Sequence, residues 1–174
     1  MTKNERKDTS YLSFRLGEEI FALTVGKVYK ILEMIPITEV PRSPDYMKGV
    51  INLRGKVLPV IDTRLKFSMK PAVETKSSCL LVIDAEIGEE TVMVSMLVDA
   101  VLAVLRIDDK EILPPPSIGN QYQSDFIAGM AKIDEKFVMV LNIDAVLTSD
   151  DLVDISEIEA SRLAAEKKES VENK

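Results

Sequence analysis

Hydrophobic residues along the chain fall in short runs, separated by polar and turn-forming residues, from Tyr11 to about Leu147. The runs are rich in β-branched residues, and Gly, Pro, Asp and Ser lie between them. Short runs of this kind are typical of strands, so the pattern predicts an all-β barrel or sandwich. The predicted strands lie at residues 11–16, 20–23, 50–51, 57–61, 80–83, 92–98, 104–107 and 137–141.

The apolar pattern repeats once along the chain. A Gly-Glu-Glu turn, a valine-spaced segment, a proline-containing loop and a second hairpin occur twice in the same order. The valine spacing favours a helical turn or a twisted crossing, and the repeat predicts two lobes of similar topology. Because short apolar patterns also align by coincidence, chance similarity stays open. The matching segments are 17–19 with 88–90, 25–32 with 98–105, 40–44 with 113–117, 45–50 with 125–130, and 57–62 with 137–142.

The polar and charged segments predict the domain boundaries. Residues 1–10 are charged and lead into no apolar signal core, so we expect a disordered leader. The polar, proline-containing segment 66–77 predicts an exposed connection between the two lobes. N-cap candidates after Leu147 predict a helix with apolar Leu152, Ile155, Ile158 and Leu163. The expected boundaries are a first lobe at about 11–65 completed by the C-terminal part, a second lobe at about 78–147, a helix at 149–163 and a frayed tail at 164–174.

Composition excludes several classes of partner. The net charge of -7, the absence of a basic run and the few aromatic residues argue against nucleic-acid binding. The longest apolar stretch, residues 92–105, is interrupted by polar residues and too short to span a bilayer, so we expect no membrane insertion. The lone Cys79 cannot form an internal disulfide, which favours a reducing cytoplasm.

The chain lacks the side chains that most enzymes use. It has no histidine, and therefore neither the commonest general base nor the commonest transition-metal ligand. No Cys or His spacing suits zinc, and the glycines at 49 and 55 do not match a phosphate loop. We predict no catalytic residue, no metal and no cofactor. Four carboxylates could in principle form an acid/base pair, but each is expected to be a solvated or capping residue: Asp62, Asp84, Asp99 and Asp134.

Residues 48–62 (KGVINLRGKVLPVID) form the best-marked segment of the chain. They predict two strands around a tight turn that presents Arg54, with Gly55 taking the positive φ that such a turn often demands. Chemistry alone leaves open an ordinary hairpin with a solvated arginine at its tip.

This segment, the opening hairpin and Val98-Asp99-Ala100-Val101 together resemble the CheW family of chemotaxis adaptors, from about Tyr11 to Leu147. The resemblance implies two SH3-like five-stranded β-barrel lobes packed together at a shared apolar interface, plus a short C-terminal helix. It implies no enzyme activity. It also implies a cytoplasmic adaptor, associated with receptor arrays at the inner face of the membrane, that joins the chemoreceptor signalling tip to the regulatory domain of the histidine kinase CheA.

The resemblance also implies which residues contact the receptor. The candidates are Val28, Lys30, Gly49, Asn52, Arg54, Gly55 and Val104, with Gly49 and Asn52 shaping the turn. Core positions are an equal alternative for Val28 and Val104. Many relatives carry an acidic residue where this chain has Lys30, which suggests a paralogue serving a separate chemosensory array.

The resemblance names no kinase-contact residues. Two other functions stay open at this stage: an adaptor of a pilus-motility or other alternative chemosensory pathway, and a small barrel that binds a ligand.

Overall fold

The computed structural model describes residues 8–114, 126–147 and 151. Strands dominate them, so the predicted all-β class is confirmed. One short helix, α1 (Thr63–Lys66), and 3-10 turns at Val25–Lys27, Asp109–Glu111 and Ile143–Ala145 connect the strands. The strands are β1 (Asp8–Leu16), β2 (Glu19–Thr24), β3 (Val28–Glu33), β4 (Met47–Leu53), β5 (Lys56–Asp62), β6 (Cys79–Ile87), β7 (Glu90–Val98), β8 (Ala100–Asp108), β9 (Ile112–Leu113), β10 (Ile127–Ile133) and β11 (Lys136–Leu141).

The strands form two sheets, one in each lobe. The first sheet has six strands in the order β8-β1-β2-β11-β10-β9, and the second has five in the order β3-β6-β7-β5-β4. The extra strand β9 has only two residues. A single bridge between Thr38 and Val50 lies at the corresponding place in the five-stranded sheet.

The segments that share a sheet differ from the lobes expected at about 11–65 and 78–147. The six-stranded sheet combines β1 and β2 with β8 to β11, whereas the five-stranded sheet combines β3 to β5 with β6 and β7. In each repeat the third strand pairs with the first strand of the other repeat, as β3 with β6 and β8 with β1. Each lobe therefore takes its first hairpin from one repeat and its remaining strands from the other repeat.

Strand registers confirm the duplication. Antiparallel β4–β5 shifts register between Met47 and Gly49, and β10–β11 shifts between Ile127 and Gly129. The parallel pairs also match, with Ser95 opposite Val60 in one lobe and Ala22 opposite Val140 in the other. These pairs make Ser95 and Ala22 equivalent positions.

Three apolar clusters hold the lobes. One lies inside the six-stranded lobe and another inside the five-stranded lobe. The largest, which we call the shared cluster, contains side chains from both lobes. Strand β6 contributes to two of them, because Leu80 and Val82 face the five-stranded interior and Leu81 and Ile83 face the shared cluster. Both faces of β6 are therefore buried, which explains a continuous apolar run at 80–83.

The ends of the chain correct one boundary. Residues 8–10, expected in a disordered leader, belong to β1 because they pair with residues 106–108 of β8. The rest of the predicted leader, the helix expected at 149–163 apart from Asp151, and the predicted tail at 164–174 lie outside the described residues. Among the residues that are described, no helix is long and apolar enough to cross a membrane.

The connection at 66–77 is only partly exposed. Phe67 stacks on Phe126, with ring centroids 4.3 Å apart, and also contacts Phe21. From Val73 to Ser77 the chain is exposed, as predicted. The expectation of an exposed connection was thus wrong at its first residues, because an aromatic side chain there packs on the shared cluster.

Candidate functional site

The turn between β4 and β5 presents Arg54 at its tip. Arg54 and Gly55 have φ of 51° and 82°, so both central residues of this two-residue turn are left-handed. The Asn52 side-chain oxygen accepts a hydrogen bond from the Gly55 backbone N–H at 2.9 Å, which fixes the turn. Gly49 lies at the other end of β4, where it forms part of the register shift rather than of the turn.

A cleft of about 310 Å³, which we call the Arg54 cleft, lies beside this turn. It is lined by Tyr29, Leu53, Arg54, Gly55, Lys56 and Met93. Leu53 and Met93 are half-buried and also pack on the interior of the five-stranded lobe, whereas Tyr29 is 55% exposed. The curling of the five-stranded sheet therefore brings β3, the turn and β7 together around one apolar floor with a cationic edge.

The other predicted residues occupy two different strands. Val28 is half-buried on β3 and packs against the shared cluster, whereas Val104 is 61% exposed on β8 in the other sheet. Lys30 is half-buried next to Tyr29 and pairs with Val82. The structure thus places Val28 and Lys30 on β3, the strand that carries the cleft residue Tyr29, and Val104 on the other lobe.

The internal repeat shows surface residues that sequence reasoning missed. Strand pairing makes Val28 equivalent to Val101 and Ile31 equivalent to Val104. Ile31 is 46% exposed, so β3 and β8 each present an apolar side chain at the same position. The valine-spaced segments already aligned these positions, and strand alternation applied to that alignment would have found Ile31.

A buried ion pair lies where the chain passes between the two sheets. Asp99 is 6% exposed and accepts hydrogen bonds from the Gly17 backbone N–H at 2.6 Å and from Arg64 Nε at 3.0 Å. Its backbone N–H donates to the Arg15 carbonyl at 3.0 Å. The expectation of a solvated or capping Asp99 was therefore wrong, because this carboxylate faces a guanidinium inside the molecule.

The partners of Asp99 decide its charge state. Burial on its own raises the pKa of the carboxyl group, but the hydrogen bonds from Arg64 and Gly17 and the charges of Arg64 and Arg15 outweigh it. The pKa of Asp99 is consequently below its ordinary value. The hydrogen bond to Asp99 is also the main reason that the pKa of Arg64 is raised.

Other candidate groups have structural roles. Asp62 caps α1 by accepting from the Leu65 N–H at 3.3 Å, and its second oxygen accepts from the Ala72 N–H at 3.1 Å, so its predicted capping role is confirmed. Burial raises the pKa of the Cys79 thiol, which disfavours a reactive thiolate. Within residues 8–114, 126–147 and 151, no group of three or more acidic or Cys side chains could hold a metal ion.

Comparisons with known proteins agree with this architecture. A family model described as a CheW-like domain matches residues 10–151. The chain is 36% identical over 141 residues to the probable chemotaxis protein CheW of Rhizobium etli, covering 81% of this chain and 88% of that protein. It is 33% identical over 140 residues to chemotaxis protein CheW of Rhizobium meliloti, covering 80% and 88%. The crystal structure of the scaffolding protein TtCheW from Thermoanaerobacter tengcongensis is similar, with a TM-score of 0.71, 30% identity and coverage of 83% and 95%.

Proposed function

Because the chain belongs to the CheW-like domain family, we propose that it is a non-enzymatic adaptor that couples chemoreceptors to a CheA-type histidine kinase in chemotaxis signalling. The match over residues 10–151 carries this proposal, since it includes both lobes and the Arg54 hairpin. An adaptor acts by holding two partners in a fixed geometry. The apolar core shared between the two lobes suits this molecule to that task.

The receptor tip binds at the Arg54 cleft. Exposed Tyr29 and Ile31 supply apolar surface on β3, and the turn holds Arg54 at the edge of the cleft that Tyr29 lines. A helix that lays its apolar stripe on this surface gains most of its affinity from a few buried side chains. Arg54 then orients the helix through a charge-assisted hydrogen bond to a carboxylate or carbonyl.

Val104 belongs to a second apolar position on β8. With Leu102 it presents exposed side chains on the six-stranded lobe, at the positions equivalent to Ile31 and Tyr29 on β3. In this proposal Val104 adds a separate apolar contact on the six-stranded lobe, while Val28 supports β3 from the shared core. Lys30, the residue after Tyr29 on β3, adds a positive charge to this strand outside the residues that line the cleft.

Reconstitution tests the adaptor function. Purified CheA-type kinase and a chemoreceptor signalling fragment are mixed with and without this protein, and kinase autophosphorylation and complex formation are followed. We expect the protein to change the kinase rate and to join a ternary complex. If neither the rate nor the complex changes, the adaptor function is refuted.

The same assay tests the predicted receptor site. Arg54→Glu places a negative charge at the exposed tip of the turn, so we expect receptor binding to weaken at least tenfold. The melting temperature should remain almost unchanged, because exposed side chains contribute little to stability. If Arg54→Glu binds the receptor as tightly as wild type does, Arg54 is only a solvated turn residue.

A further inference from the structure

The Arg54 cleft carries positive charge without matching negative charge of its own. Arg54 and Lys56 are both exposed, and none of the cleft residues is acidic. Among the described residues, neither cation makes an ion pair, and Asp84, which pairs with Met93, does not line the cleft. The chain has a net charge of -7, so this cationic cleft contrasts with the molecule around it.

The second hairpin provides an internal comparison. The residues equivalent to Arg54, Gly55 and Lys56 are Asp134, Glu135 and Lys136, and both central residues of this turn also have positive φ, 48° and 65°. The backbone is thus repeated while the charge is inverted. Of the two hairpins that the structure describes here, the one in the five-stranded lobe has the cationic tip, and it lies beside an apolar floor.

We infer that this cleft selects a helical partner segment that carries at least two carboxylates beside an apolar side chain, and that Lys56 is a specificity-determining residue there. This inference rests on the adaptor function proposed above and names the chemistry of its receptor partner. Tyr29 and Met93 receive the apolar side chain, while Arg54 and Lys56 each pair with one carboxylate. Paired surface charges steer association and exclude partners with basic residues at the same places.

Binding of a chemoreceptor signalling fragment encoded in the same genome tests the inference. The dissociation constant is measured for wild type, Lys56→Gln and Lys136→Gln at about 50, 150 and 400 mM NaCl, a range over which the Debye length shortens roughly threefold. Lys136 is the matched control, because it is exposed and holds the equivalent position in the other hairpin. We expect Lys56→Gln to weaken binding about three- to tenfold at low salt and to flatten the salt dependence. Lys136→Gln should bind like wild type.

Changes on the receptor fragment complete the test. Acidic residues near its tip are replaced one at a time by the corresponding amides. One replacement should weaken binding to wild type but not further weaken binding to Lys56→Gln, which identifies the paired carboxylate.

The possible results separate the two proposals. If wild type binds the fragment, and Lys56→Gln binds it no more weakly than Lys136→Gln does, the inference is overturned and the adaptor function stands. Binding that is indifferent to salt overturns it in the same way. If wild type does not bind the fragment at all, both proposals fail.

Discussion

Ser95 and Ala22 show how one residue can differ between two otherwise matching positions. Both are fully buried, and each lies opposite a valine in a parallel strand pair. Ala22 needs no hydrogen-bond partner, whereas the Ser95 hydroxyl is buried without one among the described residues. A buried unsatisfied hydroxyl costs stability, so the five-stranded lobe carries a penalty that its counterpart avoids.

We therefore expect Ser95→Ala to stabilise the protein by about 1 kcal/mol, because it removes the unpaired hydroxyl and changes side-chain volume little. Urea unfolding at pH 7 measures the change. Ser13→Ala is the control: the Ser13 hydroxyl is also buried but donates to the Ala103 carbonyl at 2.8 Å and accepts from its N–H at 3.1 Å. That control should lose about 2 kcal/mol. Equal losses in both variants would show that Ser95 has a partner.

At the scale of elements, strands and turns could be predicted from the sequence to different degrees. The β4–β5 hairpin was predictable because Asn52 and Gly55 are turn-forming residues between apolar runs. The segments at 25–32 and 98–105 were predicted less well, since their valine spacing favoured a helical turn or a twisted crossing rather than regular strands. Most of their residues belong to β3 and β8, and only Val25–Lys27 forms a 3-10 turn. The exposed face of each strand also carries apolar side chains, which hides the alternation that a strand buried on one face normally shows: Tyr29 and Ile31 on β3, Leu102 and Val104 on β8.

Gly49 and Gly129 lie at the register shifts of their strand pairs and not in the turns. A Cβ at Gly49 would lie 2.2 Å from the Thr38 carbonyl oxygen, and one at Gly129 would lie 2.6 Å from that of Leu113. In both lobes a neighbouring backbone segment thus packs directly on the glycine. The sequence marked both glycines through the repeat, but only the fold shows what approaches them.

We expect Gly49→Ala to destabilise the protein by about 2–4 kcal/mol, because the added carbon meets backbone and φ of 152° is unfavourable for alanine. Denaturant unfolding measures it, with Gly26→Ala as the control. A Cβ at Gly26 meets nothing within 4 Å, so that variant should change stability by less than about 0.5 kcal/mol. If the two variants unfold at the same denaturant concentration, the close approach at Gly49 is not a constraint.

At the scale of the whole molecule, the exchange of strands between the repeats decides the architecture. The repeat itself could be predicted, because it depends on local patterns that occur in order. The pairing of β2 with β11 and of β5 with β7 could not be predicted. Pairing strands within one repeat, or between the two repeats, fits the same apolar pattern. The Arg54 cleft shows the same limit: its turn was predicted, whereas Tyr29 and Met93 reach it only through the curvature of the sheet.

The Asp99 ion pair joins parts of the molecule that the exchange brings together. Asp99 lies between β7 of one sheet and β8 of the other, Arg64 follows β5, and Gly17 belongs to the β1–β2 turn. A single carboxylate thus links both sheets. Replacing it leaves the half-buried Arg64 guanidinium without this partner, and such a loss costs more than the loss of an exposed ion pair would.

We expect Asp99→Asn to destabilise the protein by about 3 kcal/mol at pH 7. Because the pKa of Asp99 is lower in the folded than in the unfolded protein, its contribution is complete above the unfolded value of about 3.9. It is lost as the pH falls through the folded pKa, so wild type and variant should converge in acid. Urea unfolding at about pH 7, 4 and 3 measures the difference, with exposed Asp134→Asn as the control. A gap that stays constant with pH would mean that Asp99 stabilises the junction by shape rather than by charge.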